Sequence, residues 1–363
     1  MLITNGKLVN LSEDVRIMRD GALLVESGRI VEIGSTAEML IKHRGSEIVD
    51  AGGMLVMPGN ICSHTHFYGA FARGMSIPGE PPRDFPEILR RLWWQLDSVL
   101  TAEDVRYSAL VCLLDAIKHG TTTLIDHHAS PNALAGSLDV LAAAVQQAGL
   151  SAVLCYEVSD RSGAEKAHAG IAENVRFIES ARSGEWGERI RGTFGLHASL
   201  SLSDVTLAAC REAVPEGLGF HIHVAEHESD QHDSVEKSGV CVVKRLQRCN
   251  ILGPATIAAH CVHIDSAEVE LLEETGTWVT HQPRSNMNNA VGAADVEELL
   301  RKGVRVAIGN DGFSNNMWAE WKTAYLLHKV WQRDPRSADG VTIMEMAVIS
   351  IKVSCDFITW FDK

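Results

Sequence analysis

Met54-Leu-Val-Met-Pro-Gly-Asn-Ile-Cys-Ser-His-Thr-His66 is the stretch on which the fold turns. An apolar run breaks at Pro58-Gly59, resumes, and closes on two histidines, His64 and His66, two positions apart. On a strand that spacing aims both imidazoles at one face. One such pair is a weak signal. Three further pieces follow in order, each closing a short apolar run: His223-Val-Ala-Glu226, His260, and Gly309-Asn-Asp-Gly312. Metal-ligating residue types at the ends of separate strands predict a mononuclear metal site inside a barrel.

Outward from that stretch, apolar strands alternate with helical patterns from Pro58 onward. Strand ends are expected at His66, His127, Tyr156, His197, His223, His260, His281 and Asp311. Helices are expected over 101–118, 132–148, 166–183, 203–214, 233–250, 265–275 and 294–302. The alternation predicts an α/β fold, a (β/α)8 TIM-like barrel over residues 58–350. Chemistry in such barrels sits at the C-terminal strand ends, where the candidates stand. Residues 1–57 read instead as a small all-β unit, with strands over 2–4, 21–26, 29–33, 46–50 and 54–57. Two polar stretches, 79–84 and 227–239, are either covers for the barrel mouth or plain solvated surface.

The chain has 363 residues, 45% of them apolar and 22% charged, enough for one large globular domain and a small one. A net charge of −14 argues against nucleic acid or an anionic membrane as partner. No uncharged apolar stretch approaches a membrane span. The eight cysteines stand singly, most of them in apolar runs, as buried thiols in a reducing compartment do. The first residues lack the layout of a signal peptide, so the cytoplasm is the expected location.

His64, His66, His223 and Asp311 are the expected ligands of one divalent ion, zinc ahead of iron, with a position left for water. Such an ion lowers the pKa of bound water toward roughly 7. Asp311, the acidic residue closing the eighth strand, can accept that water's proton, or it is a simple turn residue. Glu226, three residues beyond His223, can reach substrate without reaching the metal and suits a general acid/base. His260 is expected to orient or polarise the attacking water, with His263 as its rival. His221 points the same way as His223, one layer deeper, and reads as a core histidine. His197 and Trp94 are candidate substrate contacts, the tryptophan as a stacking face, although Trp93 and Trp94 also suit core packing. His127 is a further candidate substrate contact; it, His128 and His281 are open between that role and support. No lysine lies between Lys166 and Lys237, which excludes a binuclear site bridged by a carboxylated strand-four lysine.

These residues resemble the amidohydrolase superfamily in its mononuclear aminohydrolase branch. That branch includes cytosine, guanine and methylthioadenosine/adenosylhomocysteine deaminases and triazine hydrolases. Pro58-Gly59, Ser63-His-Thr-His66, His221-Ile-His-Val-Ala-Glu226, Ala259-His-Cys261 and Gly309-Asn-Asp-Gly312 carry the resemblance, over residues 1 to about 350. Leu92-Trp-Trp-Gln-Leu-Asp97, Asp126-His-His-Ala-Ser-Pro131 and Arg284-Ser-Asn-Met-Asn-Asn289 are similar to SsnA-like aminohydrolases. The resemblance implies hydrolytic deamination of a planar amino-heterocycle, a purine, pterin or related ring, with zinc or iron. Loss of chloride, opening of a cyclic amide, or an inactive binding barrel are the alternatives. It also implies a substrate contact for His197 and, through a loose match, a ribose contact for Glu87. The expected partner is a small heterocycle, with a homo-oligomer left open. Gly-Asn-Asp-Gly departs from the family's usual Gly-Thr-Asp-Gly, which leaves the ligand intact. The family also continues with strands that complete the β-sandwich begun at the N-terminus, and residues 349–363 do not resemble that segment. The expectation is therefore a truncated or frameshifted reading frame, with an incomplete β-sandwich over 1–57 and an atypical tail over 351–363.

Overall fold

In a computed structural model of the chain, the described residues are 1–9 and 17–347. The tail expected over 351–363 lies outside them. Contacts divide the chain into a unit over Met1–Gly59 and a second that begins at Asn60.

The first unit holds β1 (Leu2–Val9), β2 (Ile17–Glu26), β3 (Arg29–Ser35), β4 (Ile48–Asp50) and β5 (Leu55–Val56). They make one sheet in the order β3-β2-β1-β4, with β5 also on β1. The β2–β3 hairpin turns through Ser27 and Gly28, both at positive φ (49° and 78°), the backbone that a two-residue primed turn demands. A helix over Thr36–Lys42 corrects the all-β expectation. Ser35 caps it by accepting the Glu38 N–H at 3.3 Å, and Met39 packs with Leu2, Ala22 and Leu24. The Ser-x-x-Glu cap signal was there, but a helix of seven residues is too short to show a period.

The second unit is built on β6 (Asn60–Thr65), β7 (Thr121–His128), β8 (Ser151–Tyr156), β9 (Ile190–Gly192), β10 (Phe194–Ala198), β11 (Phe220–Val224), β12 (Ile257–His260), β13 (Trp278–His281) and β14 (Val306–Ile308). All pairings among them are parallel, in the runs β6-β7-β8-β9 and β10-β11-β12-β13-β14. β9 and β10 share one strand position, interrupted at Thr193: β9 pairs back to β8 and β10 forward to β11. A bridge from Val158 to Leu196 joins the two runs there. At the other seam the Asn310 and Asp311 N–H groups donate to His64 O at 2.9 and 3.1 Å, and His66 N–H donates to Asp311 O at 3.0 Å. Strands and helices alternate around this ring, as in a (β/α)8 barrel.

Inside the ring, Ile125, Val153, Ile257, Trp278 and Ala307 form a dry layer, each from a different strand. His260 and Asp311 stand further along β12 and beyond β14, and the strand register sets His64, His66 and His223 of β6 and β11 past the same level. This layer is therefore the floor of the site. Three expectations change in detail. The stretch 227–239 is mostly a helix, Glu228–Ser238, capped by the His227 ring and ended by Gly239 at φ 72°. The helix expected over 233–250 is accordingly two, with Val242–Arg248 the second. The eighth strand stops at Ile308, short of Asp311, which sits at φ 57°. Among the described residues every cysteine is free, and no helix is long and apolar enough to cross a membrane.

Candidate active site

Strand alternation places the first pair. His64 and His66 share the inner face of β6, where His223 of β11, His260 at the end of β12 and Asp311 beyond β14 meet them. His66 Nε2 lies 2.9 Å from Asp311 Oδ1 and 3.2 Å from His223 Nε2, while His64 Nε2 lies 3.4 Å from Asp311 Oδ1. The opposite ring nitrogens settle the tautomers. His66 Nδ1 donates to His127 O at 2.5 Å, His223 Nδ1 to His197 O at 2.8 Å, and His260 Nδ1 to Asn286 Oδ1 at 2.8 Å. A nitrogen facing an acceptor must carry a proton, so the Nε2 lone pairs of His223 and His260 turn inward. His66 Nε2 instead faces Asp311 Oδ1: burial lowers the His66 pKa, but hydrogen bonds to Asp311 and Glu157 outweigh it and raise the pKa well above its usual value. His64 Nε2 and His260 Nε2 are buried without any hydrogen-bond partner. Unpaired imidazole nitrogens converging beside a carboxylate are a donor set that fits a divalent cation. His221 stands behind His64, its Nε2 2.8 Å from His64 Nδ1.

Two of these residues, His260 (φ 75°) and Asp311 (φ 57°), hold left-handed backbone. Strain of this kind, about 1–3 kcal/mol each, persists only where surroundings enforce it, and it turns both side chains into the barrel mouth. Burial lowers the His64 pKa well below its usual value and brings His260 down to about 4, so both are neutral imidazoles at pH 7. Glu226 ends the turn after β11, with Oε2 3.6 Å from His260 Nε2 and Oε1 3.5 Å from Asn289 Nδ2. Burial, reinforced by the charge of Asp311, raises its pKa well above the ordinary carboxyl range.

The cavity beside this cluster opens to solvent, and the space free of atoms in and before it, open solvent included, is about 680 Å³. His66, His223, Glu226 and Asp311 form its base, His197 and Trp94 one wall, and Tyr68, Phe85 and Trp93 further aromatic walls. The Trp94 and His197 rings are 6.4 Å apart, and the Arg161 guanidinium sits 5.7 Å over Trp94. His127 is fully buried and stacked on His221 at 4.4 Å; it is not part of the cavity wall, and one of its ring nitrogens lies within 4.8 Å of those of His64, His66 and His223. His281 faces away, its Nε2 3.1 Å from His328 Nε2, and His128 is engaged with Ser130 Oγ at 2.9 Å. Glu87 is held by Arg83 and does not line the cavity, so the ribose contact implied for it has no basis in its position.

Sequence reasoning passed over three groups. Ser285 donates to Asp311 Oδ2 at 2.5 Å and Asn286 accepts from His260, both from the short helix Pro283–Asn288. The polar run after the apolar Trp-Val-Thr-His strand was the available signal. Glu157, just beyond β8, lies 3.2 Å from His66 Nδ1 and 3.5 Å from His127 Nδ1. Burial alone would raise its pKa, but the hydrogen bond and charge of His66 and its histidine neighbours bring it to about 2. An acidic residue closing Val153-Leu-Cys-Tyr156 was its signal. Asp97 completes the polar wall, paired with Arg161 through both carboxylate oxygens.

Comparison with known proteins gives one family and many relatives. The amidohydrolase family profile matches residues 55–351. The 5′-deoxyadenosine deaminase of Methanosarcina mazei is 33% identical over 355 residues, 96% of this chain and 78% of the relative. The 5-methylthioadenosine/S-adenosylhomocysteine deaminase of Desulforudis audaxviator is 33% identical over 334 residues, covering 90% and 74%. Among solved structures, a zinc-bound adenosine deaminase from Xanthomonas campestris superposes with a TM-score of 0.82 at 24% identity, covering 100% of this chain and 80% of that one.

Proposed function

The chain belongs to the amidohydrolase family, and from that premise we propose that it is a mononuclear, zinc-dependent aminohydrolase, releasing ammonia from a planar amino-heterocycle. The observation that carries the reading is the buried carboxyl of Glu226, 3.6 Å from His260 Nε2, set beside the clustered nitrogens of His64, His66, His223 and His260 around Asp311. The two deaminase relatives support it. Free cysteines throughout the described residues suit the reducing cytoplasm, where we place the enzyme.

His64, His66, His223 and Asp311 would hold the ion, which when bound supplies Lewis acidity and makes water a nucleophile at neutral pH. The protein side of the chemistry is proton movement. Asp311 Oδ1 takes the proton of the attacking water while Ser285 holds Oδ2 in place. His260 fixes that water, its own tautomer locked by Asn286. Glu226 protonates the ring nitrogen next to the attacked carbon. The proton taken by Asp311 then passes to the amino group, which leaves as ammonia; the proton of the remaining hydroxyl returns to Glu226, and a carbonyl remains on the ring. Trp94 and His197 hold the ring against the cluster, and the aromatic walls exclude water. Zinc-loaded protein assayed on a panel of amino-heterocycles should release ammonia. Fully loaded protein that gives chloride or a ring-opened product instead, or no product at all, would defeat the reading.

A further inference from the structure

Glu157 lines the cavity and takes no part in the proton movements above. It is 5% exposed. Oε1 is shut off from the cavity, 3.2 Å from His66 Nδ1 and 3.5 Å from His127 Nδ1, and it is Oε2, with His197 Nε2 4.0 Å away, that is left without a donor. Its neighbours do not fill that vacancy. The His66 Nδ1 proton is aimed at His127 O, 2.5 Å away, which leaves Glu157 Oε1 second at 3.2 Å. His197 uses Nδ1 on Ser201 Oγ at 2.6 Å, and its Nε2 stands 4.0 Å from Glu157 Oε2. The other acidic groups of the wall are engaged: Asp97 by Arg161, and Asp230 by the Leu200 and Ala225 N–H groups at 2.8 and 2.9 Å. A buried carboxylate oxygen without a donor is costly, so Glu157 calls for a donor that arrives with the ligand.

The rest of the wall narrows what that ligand is. Tyr68, Phe85, Trp93 and Trp94 offer flat apolar surface, and among the described residues no lysine or arginine lines the cavity. A phosphate or carboxylate on the ligand would meet Glu157, Asp97 and Asp230 without a countercharge.

We propose that Glu157 is the specificity-determining residue of this pocket and accepts a ring N–H of the heterocycle that is deaminated. The substrate is then an uncharged amino-lactam, a ring with N–H beside its carbonyl as in guanine, isocytosine or pterin. An adenine nucleoside carries no ring N–H and leaves Glu157 unpaired. This inference rests on the aminohydrolase reading and names its substrate class, separating the chain from relatives named for 5′-deoxyadenosine.

The test uses the zinc-loaded full chain and its Glu157→Gln variant, with metal content measured on both. Ammonia release is followed from pterin, guanine and isocytosine against adenosine and 5′-deoxyadenosine, and pterin binding is measured by calorimetry. Wild type should favour a lactam over both nucleosides in kcat/KM by on the order of 10²-fold or more. Glu157→Gln should keep its metal, bind pterin at least about tenfold more weakly, and lose most of that preference. A wild-type preference for the nucleosides overturns the proposal while leaving the deaminase reading intact, and it does so even if the variant fails to fold. Unchanged pterin affinity in a folded variant, or a variant that loses its metal, also overturns it. Glu157-dependent pterin binding without turnover of any ring would sink the deaminase reading and, with it, the substrate assigned here.

Discussion

Glu226 and Asp311 are both buried carboxyls near the same imidazoles, yet their surroundings drive them apart. Asp311 Oδ1 faces His64 and His66 and its pKa falls well below the usual range; Glu226 faces burial and a like charge and its pKa rises. Divergent pKa values in one site separate a proton donor from a proton acceptor. Glu226→Gln should therefore retain the metal and lose about 10²–10⁴-fold in kcat. A variant that loses the metal would make Glu226 a ligand, contrary to the role given it here. Ser285 acts at one remove. Removing its hydroxyl in Ser285→Ala frees Asp311 Oδ2, and metal affinity should drop about 10–100-fold. Titration with a competing chelator checks this, and unaltered affinity would show that Asp311 needs no such support.

Between elements, the decisive joint is the seam of β6 and β14. A Cβ added at Gly309 would stand 2.7 Å from His64 O and 2.9 Å from His64 N, so the strands come together only with glycine there. Gly309→Ala should destabilise the barrel by about 1–3 kcal/mol and, by displacing His64, reduce bound metal. Denaturant midpoint and metal content together test it; if neither changes, the seam is looser than the contact distances imply. The strand ends at His260 and His281 coincide with the sequence expectation, because apolar runs closed by polar residues mark buried parallel strands. The side on which a residue emerges is harder to read. His281 follows Thr280 in ordinary alternation and turns outward, whereas His260 turns inward through its positive φ, a backbone state that no local pattern in Ala-Ala-His-Cys announces.

For the molecule as a whole, one metal per chain is expected, since the two groups able to hold an ion, His64, His66, His127 and His223, and His64, His223, His260 and Asp311, overlap at His64 and His223. Binding to the folded state alone should add about 2.7 kcal/mol of stability when free metal is a hundred times Kd. Chelation should lower the melting temperature accordingly, and titration back should saturate at one equivalent; saturation at two would require a second centre. The small sheet has a different prospect. Its buried core is Leu2, Ala22, Leu24 and Met39, while Ile30, Ile33, Ile48 and Leu55 are exposed. Amides of β1–β5 should exchange faster than those of β6 and β11. Equal, strong protection in both would show that the sheet is as stable as the barrel.

The sequence by itself determined the repeating strand–helix order, the inward pair His64 and His66, and the identity of the other ligand types. These follow from local periodicity and residue chemistry, which act over a few positions and are written in them. Only the tertiary structure decided that His127 joins the buried histidine cluster and not the cavity wall, that His281 looks outward, that Glu87 is spent on Arg83, and that Glu157 lines the cavity. Each of those outcomes depends on which groups from distant strands arrive within about 3–4 Å, where hydrogen bonds and desolvation act. Distances of that kind arise from closure of the whole ring, and no single segment contains them.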